Sequence, residues 1–277
     1  MKRFYIQTRK YALSLLDLLT RKKGVAILFN GLRLRVPGKF YRYYAADYEK
    51  NNFLFLKENI RPGATCLDIG AHIGIYTVCM AKLGAGKIYS FEPTPSSFAV
   101  LRKMVALNHC EKQVTSLPDA VAWKTGRTSF YLNHALYRGS EKVKISEANS
   151  LVNVYFGKKI GKEELEVTTV SIDDLVQQQN LEIDFIKIDV EGAEADVLKG
   201  AERTMLKDRP SGIISVHNFA FKDKEQSLAG IWQTLLDYRM VALLNDQLLS
   251  RDWFFSMAST DIFDFHFKPQ PGGPGIL

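Results

Sequence analysis

The chain has 277 residues and a net charge of +7, with 46% hydrophobic and 24% charged residues. Those proportions are ordinary for a globular domain and exclude a disordered chain, and no run approaches the roughly 18 apolar residues that a membrane-spanning helix requires. Cys66, Cys79 and Cys110 lack C-x-x-C spacing, which argues against a disulfide framework or a zinc site and for reduced thiols.

The charge is unevenly placed. Residues 1–42 hold eleven Lys or Arg against one acid, Asp17, a balance of +10 that leaves −3 for the remainder. Such an arm fits an anionic partner, namely an acidic lipid surface, a phosphorylated substrate or RNA, and fits equally a solvated helix that only maintains solubility. Phe4, Tyr11, Leu15, Leu18 and Leu19 recur at helical spacing, so residues 4–20 read as an amphipathic helix able to pack on the body or touch a membrane face. Asp17 interrupts the apolar run from Tyr11 to Leu19, so no signal segment is read there and the expected location is cytoplasmic, with peripheral membrane contact open.

Residues 25–44 alternate around Asn30-Gly31, the strongest short hairpin signal, and predict a two-stranded ribbon ahead of a helix over 48–59. Beyond Arg61-Pro62-Gly63 short apolar runs alternate with helical stretches. Strands are expected at 65–69, 87–91, 114–117, 184–188 and 212–216, with helices at 74–83, 95–108, 193–207 and 225–238. That is the pattern of βαβ units and a doubly wound α/β fold. Runs at 239–244 and 261–267 would close it as an antiparallel pair at one edge. The domain division is therefore an extension over 1–45, a main domain over 46–268 with an insertion at 133–167, and a Pro/Gly-rich tail over 269–277.

Two clusters carry chemistry, and a third segment supplies a base. In Asp68-Ile69-Gly70-Ala71-His72-Ile73-Gly74 the glycines permit a sharp turn and close ligand approach at a strand-to-helix junction, and Glu92, in Phe91-Glu92-Pro93, ends the next strand, where an acid holds a ribose diol. A dinucleotide fingerprint requires glycines where this chain has His72 and Ile75, which weakens the pyrophosphate reading. Asp68 would repel a pyrophosphate and suit a sulfonium or amino group, so the loop points to S-adenosylmethionine rather than NAD. The second cluster is Asp189-Val190-Glu191-Gly192-Ala193-Glu194, at a strand end; Glu191 and Glu194 would also complement a helix dipole. His217, at the end of Ile213-Ile214-Ser215-Val216, could accept a proton from a substrate hydroxyl, or ligate a divalent cation with Asp189 and Glu191.

Together Leu67 to Thr77, Phe91-Glu92-Pro93, Ser171-Ile172-Asp173-Asp174-Leu175 and Ile186 to Glu194 resemble the FkbM family of S-adenosylmethionine-dependent methyltransferases, over about residues 46–220. The resemblance implies a class I methyltransferase fold, a mostly parallel seven-stranded sheet with one antiparallel edge strand. It implies O-methylation of a small molecule or sugar. It further implies that Asp68, Gly70 and Gly74 surround the methionine part of the cofactor, with Ile69, Ala71 and His72 in the same loop. Glu92 beside Pro93 would take the ribose, Asp119-Ala120 the adenine, and Asp189 would border both cofactor and acceptor. The catalytic set is then Asp189, Glu191 and His217. The chain departs from the family at Ser215, two positions before His217, where an acid is common. Ser171-x-x-Asp174 also reads simply as a helix cap. Rival readings are an NAD-dependent oxidoreductase, an RNA methyltransferase using the basic arm, and a scaffold that has kept the fold.

Overall fold

A computed structural model describes residues 12–20, 23–132, 149–152, 163–221 and 223–271. Helix α1 covers residues 12–19, and the remainder of the expected 4–20 helix lies outside the described residues. Strands β1 (Val25–Phe29) and β2 (Leu32–Val36) pair antiparallel across Asn30-Gly31. Both turn residues have positive φ, 46° and 86°, as a two-residue turn matching strand twist requires. Helix α2 (Lys50–Asn59) follows.

The body is built from β3 (Thr65–Ile69), α3 (Ile75–Lys82), β4 (Lys87–Phe91), α4 (Pro95–Leu107) and β5 (Val114–Leu117). It resumes with α5 (Ile172–Gln179), β9 (Phe185–Ile188), α6 (Glu194–Lys199), α7 (Glu202–Asp208), β10 (Ser211–His217) and α8 (Lys224–Asp237). It ends with β11 (Met240–Leu244), β12 (Gln247–Leu248), α9 (Arg251–Ser256) and β13 (Ile262–Pro269). The expected helix over 193–207 is two helices, because the chain breaks at Gly200, where a Cβ would lie 2.4 Å from the Ala122 carbonyl oxygen.

The main sheet has eight strands in the order β12-β11-β13-β10-β9-β3-β4-β5. β5, β4, β3, β9 and β10 run parallel, and β13 runs antiparallel to both β10 and β11. This is a doubly wound, mostly parallel α/β sheet, as the sequence pattern predicts. The antiparallel strand is interior rather than at the edge, since β13 slots between β10 and β11, and two-residue β12 adds the eighth strand. Alternate residues of each strand feed two cores. Cys66, Phe185 and Ile213 join α2, α3 and α4 on one face; Leu67, Ile186 and Ile214 join α5 to α9 on the other. Burial on both faces explains the continuous apolar runs. All three cysteines are free and buried.

Between β5 and α5 the chain makes a second sheet, β6 (Ala120–Val121), β7 (Gly126–Leu132) and β8 (Glu163–Val170), ordered β6-β8-β7. Residues 163–167, read from sequence as insertion, belong to β8, whose register pairs Leu132 with Glu163. Of the rest of that insertion only 149–152 fall among the described residues. No helix among the described residues is long and apolar enough to cross a membrane.

Candidate active site

A cavity of about 240 Å³ opens at the carboxyl ends of β3, β4, β9 and β10, the crevice where open α/β sheets bind ligands. Its floor is the turn after β3. Gly70 (φ 77°), His72 (φ 51°) and Gly74 (φ 88°) alternate through the left-handed region, and His72 occupies one of the positions where a dinucleotide loop has glycine. At Gly70 the requirement is steric: a Cβ there would sit 1.8 Å from the Asp189 carbonyl oxygen. The turn delivers His72 N to Glu92 Oε2 at 2.8 Å, while Thr94 N donates to Oε1, also at 2.8 Å. Two backbone amides thus hold the Glu92 carboxyl at the cavity wall. Burial pushes its pKa up to about 7 despite the lowering effect of those amides.

Of the residues expected to hold a cofactor, Ile69, Gly70, Ala71, His72, Glu92, Pro93, Asp119, Ala120 and Asp189 line this cavity. Asp68 and Gly74 do not. Asp68 is fully buried behind the turn, where its Oδ2 accepts from Thr77 Oγ1 at 2.5 Å and Lys187 Nζ lies 3.9 Å from Oδ1. Its side chain braces the turn, and its Oδ1 has no hydrogen-bond partner among the described residues. Gly74 caps α3, and its missing Cβ makes room for Leu101.

Lys187 ties this brace to the second cluster. Its Nζ donates to Asp189 Oδ2 at 2.9 Å. Burial alone would lower the ammonium's pKa, but Asp189 and Asp68 raise it, so it stays charged. Asp189 in turn is held below the usual carboxylate range, since Lys187 and His217 outweigh the effect of its burial.

The third corner is built on His217, which is 3% exposed. Nδ1 donates to Glu194 Oε1 at 2.7 Å, and Nε2 lies 3.5 Å from Glu191 Oε1 and 3.7 Å from Asp189 Oδ1. Burial alone would lower the imidazole's pKa. Glu191, Glu194 and Asp189 instead lift it to about 10. Three surrounding acids thus favour the protonated ring. One ligand atom from each of Asp189, Glu191 and His217 lies within 4.8 Å of the others. Glu194, read from sequence as a possible helix-end charge, is fully buried and orients the ring.

The remaining wall is one that sequence reasoning missed. Tyr44, Tyr48 and Glu49, from the segment after the ribbon, join Tyr76 and Asp264. Tyr76 Oη donates to Glu49 Oε2 at 2.7 Å, and burial raises the pKa of Glu49. Asp264 of β13 is the register partner of Ser215, so the two side chains share a face of the sheet. The acid absent at Ser215 is thus supplied one strand over. Asn52 Nδ2 fixes Asp264 Oδ2 at 2.7 Å, and His266 Nε2 meets Asn52 Oδ1 at 3.0 Å. No spacing rule joins residues 52, 215 and 264; only the strand order does.

The glycine turn, the fixed Glu92 carboxyl and the acidic corner thus meet at adjacent strand ends, in the crevice where open α/β sheets bind ligands. The methyltransferase FkbM domain matches residues 68–240, and the chain belongs to that family of methyltransferases. Methyltransferase sdnD of Sordaria araneosa is 30% identical over 191 residues, which cover 58% of this chain and 72% of that protein. The 31-O-demethyl-FK506 methyltransferase FkbM of Streptomyces tacrolimicus is 27% identical over 159 residues, covering 52% of this chain and 61% of that one. A solved methyltransferase FkbM from Methylobacillus flagellatus KT aligns with a TM-score of 0.45 at 17% identity, over 78% of this chain and 50% of that one. The chain thus spans between half and about three quarters of these relatives. Family membership displaces the oxidoreductase reading.

Proposed function

We propose that the protein is an S-adenosylmethionine-dependent O-methyltransferase acting on a hydroxyl of a small molecule or sugar. The observation that carries the cofactor is the Glu92 carboxyl, held by two amides beside a glycine whose Cβ position is filled by a neighbouring carbonyl. Each carboxyl oxygen retains capacity for a ribose hydroxyl, and Asp119-Ala120 offers a flank for the adenine. Bound there, S-adenosylmethionine supplies the methyl group as an electrophilic sulfonium.

The chain's own residues align the acceptor and manage its proton. Asp189, Glu191 and His217 line the cavity at the β9 and β10 ends, together with Tyr44, Tyr48, Tyr76, Glu49 and Asp264. Aromatic faces with fixed carboxylates suit a hydroxylated ring, which stacks on the former and donates to the latter. Asp189 stays ionised beside Lys187 and accepts from the acceptor hydroxyl. The name of the Streptomyces relative specifies methylation at an oxygen, which favours a hydroxyl acceptor.

A divalent cation at Asp189, Glu191 and His217 is a second reading, favoured by the Glu194 bond to Nδ1. A carboxylate on one ring nitrogen is the usual means of turning the other toward a metal. Such an ion would replace the imidazolium proton and lower the pKa of a coordinated hydroxyl.

The test is transfer of a labelled methyl group from S-adenosylmethionine to metabolite fractions, followed by alkaline treatment of the product. The expected product is an alkali-stable ether. Label lost to alkali indicates an ester, and label in RNA or in no fraction would remove the reading.

A further inference from the structure

We infer that α1 and the outer face of the β1–β2 ribbon form a docking surface for an anionic lipid membrane. Helix α1 sets Leu13, Leu16 and Asp17 half-buried on one face and leaves a second leucine face outward. Its one acid, Asp17, faces the body, where Oδ1 meets Lys103 Nζ at 3.4 Å. The helix backbone is seated on Gly38, whose Cβ, if present, would lie 2.5 Å from Asp17 N. Leu15, Leu18 and Leu19, at spacing i, i+3 and i+4, stand on the opposite side with exposures of 56%, 66% and 75%. A surface helix ordinarily buries such a leucine stripe and shows its acid to water. Here Leu13 and Leu16 are half-buried with the acid, and a further three leucines stay in water.

The ribbon extends the patch. Its inward side carries Phe29, Leu34 and Val36, all buried. Its outward side pairs Leu28, 62% exposed, with Arg33, and Ala26 with Arg35. Arg35 Nη1 donates to the Lys23 carbonyl oxygen at 2.6 Å, which fastens this side of the ribbon to the turn leading out of α1. Leu28 shares its face with Arg33 and Arg35, Lys23 follows α1, and the sequence adds Arg9 and Lys10 before the helix and Arg21 and Lys22 after it. Contiguous apolar side chains rimmed by basic ones mark an interaction surface. Their combination with an uncompensated positive charge fits a helix lying in the headgroup region of an anionic bilayer. A nucleic acid would use the charge but gain nothing from outward leucines, which cannot stack on bases.

The experiment is sedimentation of the full chain with vesicles of phosphatidylcholine alone or mixed with phosphatidylserine, and a filter assay with polyuridylate. Binding is expected to the mixed vesicles, falling as salt is raised. Replacing Leu15, Leu18 and Leu19 together by Gln should weaken it at least about tenfold, and Arg33→Gln about fivefold, with the melting temperature unchanged because all four side chains are exposed. Equal binding to both vesicle types, undiminished binding of the leucine variant, or binding to polyuridylate without binding to vesicles would each overturn the inference.

Discussion

Glu194 Oε1 accepts a 2.7 Å hydrogen bond from His217 Nδ1, and that bond points Nε2 at Asp189 and Glu191. The pair joins the start of α6 to the end of β10, so one buried interaction fixes the acidic corner of the cavity. Glu194→Gln keeps the shape but removes the charge that helps hold the imidazolium. The expected cost is about 1–3 kcal/mol of stability, read by urea denaturation, with a lower His217 pKa by NMR titration. An unchanged imidazole titration would show that Glu191 and Asp189 suffice.

Stability should depend on alkaline pH. The pKa of His217 lies near 10 in the fold against an ordinary 6.5. A raised pKa stabilises the fold fully below the unfolded value and loses that contribution as pH rises through the folded one. The metal-free protein should therefore lose melting temperature between about pH 6.5 and 10, and His217→Gln should flatten that slope. If Mn²⁺ or Mg²⁺ raises the midpoint and chelation reverses it, the ion occupies the corner in place of the proton. A midpoint indifferent to both ions removes the metal reading.

Glu92 gives a second pH signature. Burial sets its pKa at about 7, and only the carboxylate offers acceptors on both oxygens to a ribose diol. Affinity for S-adenosylhomocysteine should thus fall as pH drops below about 7, and Glu92→Gln should bind weakly with no such dependence. A wild-type affinity constant from pH 6 to 8 would place the cofactor elsewhere.

Much of this site was legible in the chain itself. The glycine turn after Thr65–Ile69, the acid at Glu92 and the acids at Asp189 and Glu191 sit at the ends of adjacent parallel strands, where local motifs mark strand-to-loop junctions. Position along the strand could not reveal the contacts of Asp68, whose side chain meets Thr77 and lies near Lys187. Glu194 was ambiguous for a related reason, since a first-turn acid may cap a helix or reach a neighbouring strand. Asp264 and Asn52 lay beyond reading altogether. Their meeting depends on β13 entering between β10 and β11, a long-range pairing with no local signature.

Asp264 offers a test of the acceptor wall. Asp264→Asn should retain the fold and S-adenosylhomocysteine binding, because β10 and β9 separate β13 from the strand that carries the glycine turn, while methyl transfer to an identified acceptor falls at least about tenfold, mainly through KM. Activity equal to wild type would remove Asp264 from acceptor recognition.

Gly70 tests the floor. With the Asp189 carbonyl oxygen 1.8 Å from any Cβ, Gly70→Ala must push β9 away from the turn. Loss of measurable S-adenosylhomocysteine binding is expected, with a lowered melting temperature. Native affinity in this variant would mean that the close approach of turn and strand is dispensable.

Calorimetric titration with S-adenosylhomocysteine and with NADH, on wild type and Glu92→Ala, bears most directly on the cofactor site. One equivalent of S-adenosylhomocysteine should bind wild type, the variant should bind at least about tenfold more weakly, and NADH should give no heat. Binding of NADH in preference, or equal S-adenosylhomocysteine affinity in wild type and variant, would contradict it.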